Sequence, residues 1–277
     1  MKRRSIETSI WCYLHGEWTV GLIATDYWYP AIVRDRNRRM ESRQDTMVRK
    51  ATRDFSVRWK RIDPTNWNRI VVVGDVHGCR DALERLLDRL AVDDEDLLVF
   101  VGDLIRKGPD DQGVVDIVRG HDNMLSVRGN NEQKVIDGDV ETGLDSTAVA
   151  YLASLPVAIG WGGDLVVHGG VDPDKSLAGH DMTDLQTMRS MTDDGYDGPF
   201  WFHSYRRKPR IFFGHTVLSR PLQTEWAVGL DTGCVYGGEL TAYIVGQDRF
   251  LSVEPKETYR ERNHDSIVIP KRRTVRE

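Results

Sequence analysis

Six candidate metal ligands stand at the carboxyl ends of β-like runs in this 277-residue chain. The run "RIVVV" (69–73) leads into "GDVHG", offering Asp75 and His77; "LLVFV" (97–101) leads into "GDLIRKG", offering Asp103; "NMLSV" (123–127) leads into "RGNNE", offering Asn130. Farther along, one hydrophobic run ends in "HGG" with His168 and another in "GHT" with His215. These are hard oxygen and borderline nitrogen donors, each next to a glycine that lets backbone and ion approach closely. One aspartate placed centrally can bridge two cations ~3.5–4 Å apart, a spacing that clamps a phosphoryl group and polarises a water. Any one of these residues alone reads as an ordinary turn residue. Their common placement at strand ends, in a consistent order, points to one centre.

The elements that must carry them alternate. "RIVVV" is a continuous β-branched run suited to a strand buried on both faces, and "DALERLLDRL" (81–90) has apolar residues at helical spacing. A second strand, a helix over 111–120 and a third strand follow, giving β-α-β-α-β. That order predicts right-handed, largely parallel pairing with functional loops at the carboxyl ends of the strands. From Pro156 the chain turns to strands: "VAIGWGGDLVVHGG" reads as a hairpin turning at Gly162-Gly163, followed by "RIFFGHT", "WAVGLDTG" and "LTAYIVG". A second sheet is therefore expected. Residues 1–66 read as an N-terminal extension with a hairpin about His15-Gly16, 67–254 as the main domain and 255–277 as a charged tail.

Composition bounds the function. The chain is 40% hydrophobic and 29% charged, with a formal charge of −5 that argues against a surface built wholly for nucleic acid. Residues 34–61 carry a local excess of basic residues with Phe55 and Trp59 interleaved. Contact with RNA through this stretch is conceivable, but a solvated helix or an upstream extension is the plainer reading. Cys12, Cys79 and Cys234 lack C-x-x-C spacing, so a disulfide framework or zinc knuckle is not expected, and a cytoplasmic setting is. No run of eighteen or more apolar residues exists, which argues against a membrane span.

The set "GDVHG", "GDLIRKG", "RGNNE", "HGG" and "GHT" resembles the calcineurin-like metallophosphoesterases, and within them the PPP phosphoprotein phosphatases, including phage-type phosphatases and bacterial diadenosine tetraphosphatases. The resemblance covers Arg69 to about Gln247. It implies an α/β fold, a β-sandwich flanked by helices, with the metal site at the carboxyl ends of the strands. It further implies two divalent transition metal ions, manganese first with iron or zinc as alternatives. One would be held by Asp75, His77 and Asp103, the other by Asp103, Asn130, His168 and His215. The implied reaction is attack by a metal-bridging hydroxide on a phosphate ester or anhydride, in a phosphoprotein or nucleotide substrate.

The departures bear on mechanism. Where the family reads G-D-x-x-D-R-G, Arg106 and Lys107 replace the second aspartate and the arginine, so a point charge replaces the bidentate arginine that grips phosphate. Arg189 resembles the second gripping arginine. In the family's G-N-H-E, Asn131 replaces the histidine that protonates the leaving oxygen, and Arg106 stands where an aspartate orients that histidine. Both halves of the acid dyad have changed together; Arg106 or His203 could act as substitute donors. Loss of a general acid weighs most on alkoxide leaving groups and least on phosphates, so Asn131 tilts the chemistry towards anhydrides and aryl phosphates. The alternative is a weakened pseudo-phosphatase that binds phosphorylated ligands.

Overall fold

The computed structural model describes residues 11–14, 17–20, 59–192 and 195–270. The chain forms two units, 1–52 and 53–277. In the first, β1 (Trp11–Leu14) and β2 (Glu17–Val20) pair antiparallel with Leu14 opposite Glu17; the expected turn residues His15 and Gly16 lie outside the described residues. Most of the basic segment 34–61 lies outside the described residues.

The larger unit is built on two sheets. In the first sheet β4 (Arg69–Val73), β5 (Asp96–Phe100) and β6 (Met124–Ser126) run parallel in that order. On the other side of β4 lies antiparallel β13 (Glu239–Ile244), flanked by β12 (Asp231–Thr232) and β14 (Arg249–Val253). The second sheet has the order β10 (Leu222–Gln223), β11 (Ala227–Gly229), β9 (Arg210–Phe213), β8 (Asp164–Val167), β7 (Ala158–Trp161) and β3 (Trp59–Arg61). The hairpin at Gly162-Gly163 is present, with Trp161 opposite Asp164.

Strand alternation assembles three layers of core. Val71, Val73, Leu98 and Phe100 face α1 (Arg80–Leu90), α2 (Asp111–Arg119) and α4 (Ser146–Ser154). Their neighbours Ile70, Val72, Leu97 and Val99 point the other way and meet Ile159, Val166 and Phe212 of the second sheet. Ile211 and Phe213 then face a third layer with Trp201 and Phe202. Strands buried on both faces need continuous apolar runs, which is why the period-2 signal is invisible in "RIVVV". The result is a sandwich flanked by helices, as the family resemblance implies.

Two stretches differ from expectation. β3 pairs parallel with β7, so the division at residue 66 cuts through the second sheet. Residues 255–270 fold back on the domain rather than trailing away: Tyr259 Oη donates to Asp81 (3.0 Å), Arg260 Nε to Lys107 O (3.2 Å) and Val268 N to Val217 O (2.8 Å). Local composition marks neither set of contacts, because the partners are distant in sequence.

Candidate active site

The six predicted ligands converge where the two sheets meet. Asp75, His77 and Asp103 offer ligand atoms that all lie within 4.8 Å of one another. Asp103 faces both ways, with Oδ2 3.6 Å from His77 Nε2 and Oδ1 3.3 Å from His168 Nε2. Asn130 Oδ1 completes the second half, 2.9 Å from both His168 Nε2 and His215 Nδ1. Asp75, contributed by the first sheet, accepts the His215 amide from the second at 3.1 Å. The glycines are required by contact: a Cβ on Gly214 would lie 1.9 Å from Asp75 Oδ1, and one on Gly129 2.3 Å from Asp103 Oδ1.

Backbone carbonyls fix the imidazoles. His77 Nδ1 meets Ile105 O at 3.1 Å and His168 Nδ1 meets Val101 O at 2.8 Å, leaving Nε2 of each ring aimed into the cluster, as ligating histidines require. His77 (φ 49°), Asp103 (φ 51°), Arg106 (φ 72°), Lys107 (φ 78°) and His215 (φ 62°) all adopt left-handed backbone. For residues with a Cβ this is a strained choice, of the kind that gathers at functional sites.

Electrostatics match a cation-binding centre. Burial, together with the charges of Asp231 and Asp103, pushes Asp75 well above the usual carboxylate range. Burial likewise lowers His77 and His215, keeping both imidazoles neutral and ready to donate a lone pair. It opposes charge on Asp103 and His168 too, but their mutual attraction prevails, lowering Asp103 and raising His168 to about 10. Two buried carboxylates, Asp75 and Asp103, with the Asn130 carboxamide oxygen and three imidazole rings, form a donor set that fits divalent transition metals.

Glu132 anchors this arrangement. Its carboxylate accepts the amides of Asp103 (2.9 Å), Leu104 (2.8 Å) and Gly129 (2.8 Å), locking the Asp103 loop to the start of α3 (Asn130–Ile136). Burial and the Asp103 charge push it up to about 7. Glu132→Gln should destabilise the domain by about 2 kcal/mol in denaturant unfolding, since an amide NH₂ would then face backbone N–H donors. A change below about 0.5 kcal/mol would mean the loop is held by other contacts.

The departures from the family pattern interact directly. Arg106 Nη1 donates to Asn131 Oδ1 at 2.7 Å, and Asn131 donates to Asp103 through both its amide N (2.9 Å to Oδ1) and its side-chain Nδ2. Arg106 and Asn131 therefore form a chain that ends on the central carboxylate. Lys107 Nζ lies 3.0 Å from His77 Nε2; burial works against its charge, but the Asp103 carboxylate and Tyr236 keep the ammonium above its usual range. Arg189, just past α5 (Met182–Thr187), is half-buried with Nη2 2.8 Å from His215 Nε2. The suggested substitute donor His203 instead packs against Phe200 and Phe202.

Several contributors escaped sequence reasoning. Asp231 is 3% exposed and opens β12, just past β11, in "GLDTG", the same run-then-Asp pattern that marks Asp75 and Asp103; that pattern could have found it. Tyr196 and Tyr236 lie beside Arg189 and Lys107, and Arg262 touches both rings. No local signal announces these. Cys79 and Cys234 are buried free thiols in the core, as packing residues should be.

Sandwich and site together define a phosphoesterase: residues 68–249 match the calcineurin-like phosphoesterase family, and the chain belongs to it. It is a hydrolase acting on phosphoester or anhydride bonds. Serine/threonine-protein phosphatase 1 of Salmonella typhimurium is 30% identical over 209 residues, covering 66% of this chain and 94% of that protein. The asymmetrical bis(5'-nucleosyl)-tetraphosphatase PrpE of Halalkalibacterium halodurans is 27% identical over 240 residues, covering 67% and 94%. Among solved structures, a "putative diadenosine tetraphosphatase" superposes with a TM-score of 0.64 at 28% identity, covering 71% of this chain and 97% of that one. Among the described residues no helix is long and apolar enough to cross a membrane.

Proposed function

We propose that the chain is a two-metal hydrolase whose preferred substrates are nucleoside polyphosphates, with aryl phosphates cleaved as surrogates. Asp75, His77 and Asp103 would hold one ion, and Asp103, Asn130, His168 and His215 the other. Manganese is the first candidate, with iron or zinc as alternatives. When bound, such a pair supplies Lewis acidity that offsets phosphoryl charge and lowers the pKa of a shared water. The protein's own part is positional. Asn131 and Glu132 fix Asp103, while Lys107 and Arg189 place positive charge on either side of the cluster, where phosphoryl oxygens would lie.

The observation carrying the substrate choice is the chain Arg106 to Asn131 to Asp103. Where a leaving-group acid would stand there is a carboxamide, its oxygen already bonded to Arg106. A leaving nucleotide phosphate needs little protonation, whereas a serine alkoxide depends on it. The tetraphosphatase relatives support the same choice. Phosphoprotein hydrolysis is the second reading, favoured by the 30% identity to a serine/threonine phosphatase. Two buried free thiols suit a reducing compartment, and we place the enzyme in the cytoplasm.

The test is a panel on metal-reconstituted protein: diadenosine tetraphosphate, an aryl phosphate and a phosphoserine peptide. The first two should exceed the peptide in kcat/KM by about a hundredfold or more. Equal rates on the peptide would favour the phosphoprotein reading, and no turnover of any of them would favour a phosphate-binding pseudo-enzyme.

A further inference from the structure

The segment after β14, beyond the family match that ends at residue 249, brings Arg262 to the site. Its guanidinium lies 5.1 Å from the Tyr196 ring and 4.6 Å from the Tyr236 ring. Each ring has a second cation: Arg189 sits 4.2 Å over Tyr196, and Lys107 Nζ lies 5.4 Å from Tyr236. The five side chains form an alternating arc, Arg189, Tyr196, Arg262, Tyr236, Lys107. Its two ends reach the cluster at opposite halves, Arg189 on His215 and Lys107 on His77.

Arg262 is held for this position. Nε donates to Ser266 O at 2.9 Å and Nη2 to Tyr196 Oη at 2.5 Å, while Val268 and Tyr259 pin the segment on either side. Desolvated cation–aromatic contacts favour a fixed guanidinium over a mobile one. Three like charges, Arg189, Arg262 and Lys107, gathered about two aromatic rings repel one another. Such a cluster suits a ligand with more negative charge than one phosphoryl group brings. Lys107 and Arg189 face the cluster, leaving Arg262 between them as the cation one position farther out.

We infer that Arg262 is a specificity-determining residue that binds a second phosphoryl group of a polyphosphate substrate, next to the one undergoing hydrolysis. This deepens the nucleoside polyphosphate reading and rests on it. A single-phosphate substrate has nothing to place there, so the residue discriminates by chain length.

The test compares wild type with Arg262→Gln, a shorter polar side chain that loses the charge, and Arg262→Lys, which restores it. For diadenosine tetraphosphate, Arg262→Gln should raise KM about tenfold or more, in line with loss of a charge-assisted contact, with kcat little changed. Kinetics on p-nitrophenyl phosphate should stay within about twofold, and Arg262→Lys should recover much of the loss. Calorimetry should show the same weakening for inorganic tripolyphosphate and not for orthophosphate. Equal losses on both substrates would overturn the inference, making Arg262 a buttress for Lys107 and Arg189, and so would an unchanged KM. If wild type turns over no dinucleoside polyphosphate, the functional reading fails on its own, and tripolyphosphate binding still decides Arg262: weakened in Arg262→Gln it stands, unaltered it falls.

Discussion

Asp103→Asn should reduce kcat/KM by at least about a thousandfold on every phosphate substrate and lower the metal content after reconstitution. Among the described residues, Asp103 is the carboxylate with an oxygen towards each half of the cluster, 3.6 Å from His77 and 3.3 Å from His168. Asparagine keeps the shape but supplies one acceptor instead of two and no charge. Charge stabilisation at such centres is worth several kcal/mol, and each 1.36 kcal/mol is tenfold in rate. The fold should survive, since the Asp103 backbone stays tied to Glu132 and to the amides of Val76 and His77. Elemental analysis and steady-state kinetics measure the two effects; a variant with full metal content and undiminished turnover would remove Asp103 from the centre.

The second large effect concerns the missing acid. Asn131→His alone should help alkyl phosphates little, because the new imidazole would face the Arg106 guanidinium, which now holds Asn131 at 2.7 Å and would disfavour its protonation. Arg106→Asp alone leaves nothing to orient. The double variant should raise kcat/KM on an alkyl phosphate by about a hundredfold or more, within the range general acid catalysis supplies, while an aryl ester gains far less. Such non-additivity marks residues that act as a unit. If the double variant gives only the sum of two small effects, or if wild type already cleaves phosphoserine as fast as the aryl ester, Asn131 does not stand in the acid's place.

What the sequence revealed, and what it hid, follows from how far apart the partners lie. The candidate ligands were legible because each is written locally: an apolar run that must be a buried strand, then a donor beside a glycine. The hairpin at Gly162-Gly163 was legible for the same reason. The short helices α3 and α4 were not. α3 begins at the ligand Asn130 and carries only Val135 and Ile136 as apolar residues at its end, while α4 is rich in small residues that blur its periodicity. The aromatic and cationic surroundings were hidden altogether, since Tyr196, Tyr236 and Arg262 meet only through tertiary packing. Asp231 was legible in principle, its "GLDTG" repeating the pattern of the ligand turns.

The left-handed backbone at His77, Asp103, Arg106, Lys107 and His215 makes the candidate centre a place where this chain works against its own folding. Each such residue costs on the order of 1–3 kcal/mol relative to relaxed geometry, and glycine would relieve most of it. A search for thermostable variants would therefore be drawn to these positions, where glycine hardens the scaffold while deleting a ligand or a phosphate grip. Resistance to heat and catalytic competence pull this sequence in opposite directions, and the conflict is confined to a handful of turns between the two sheets.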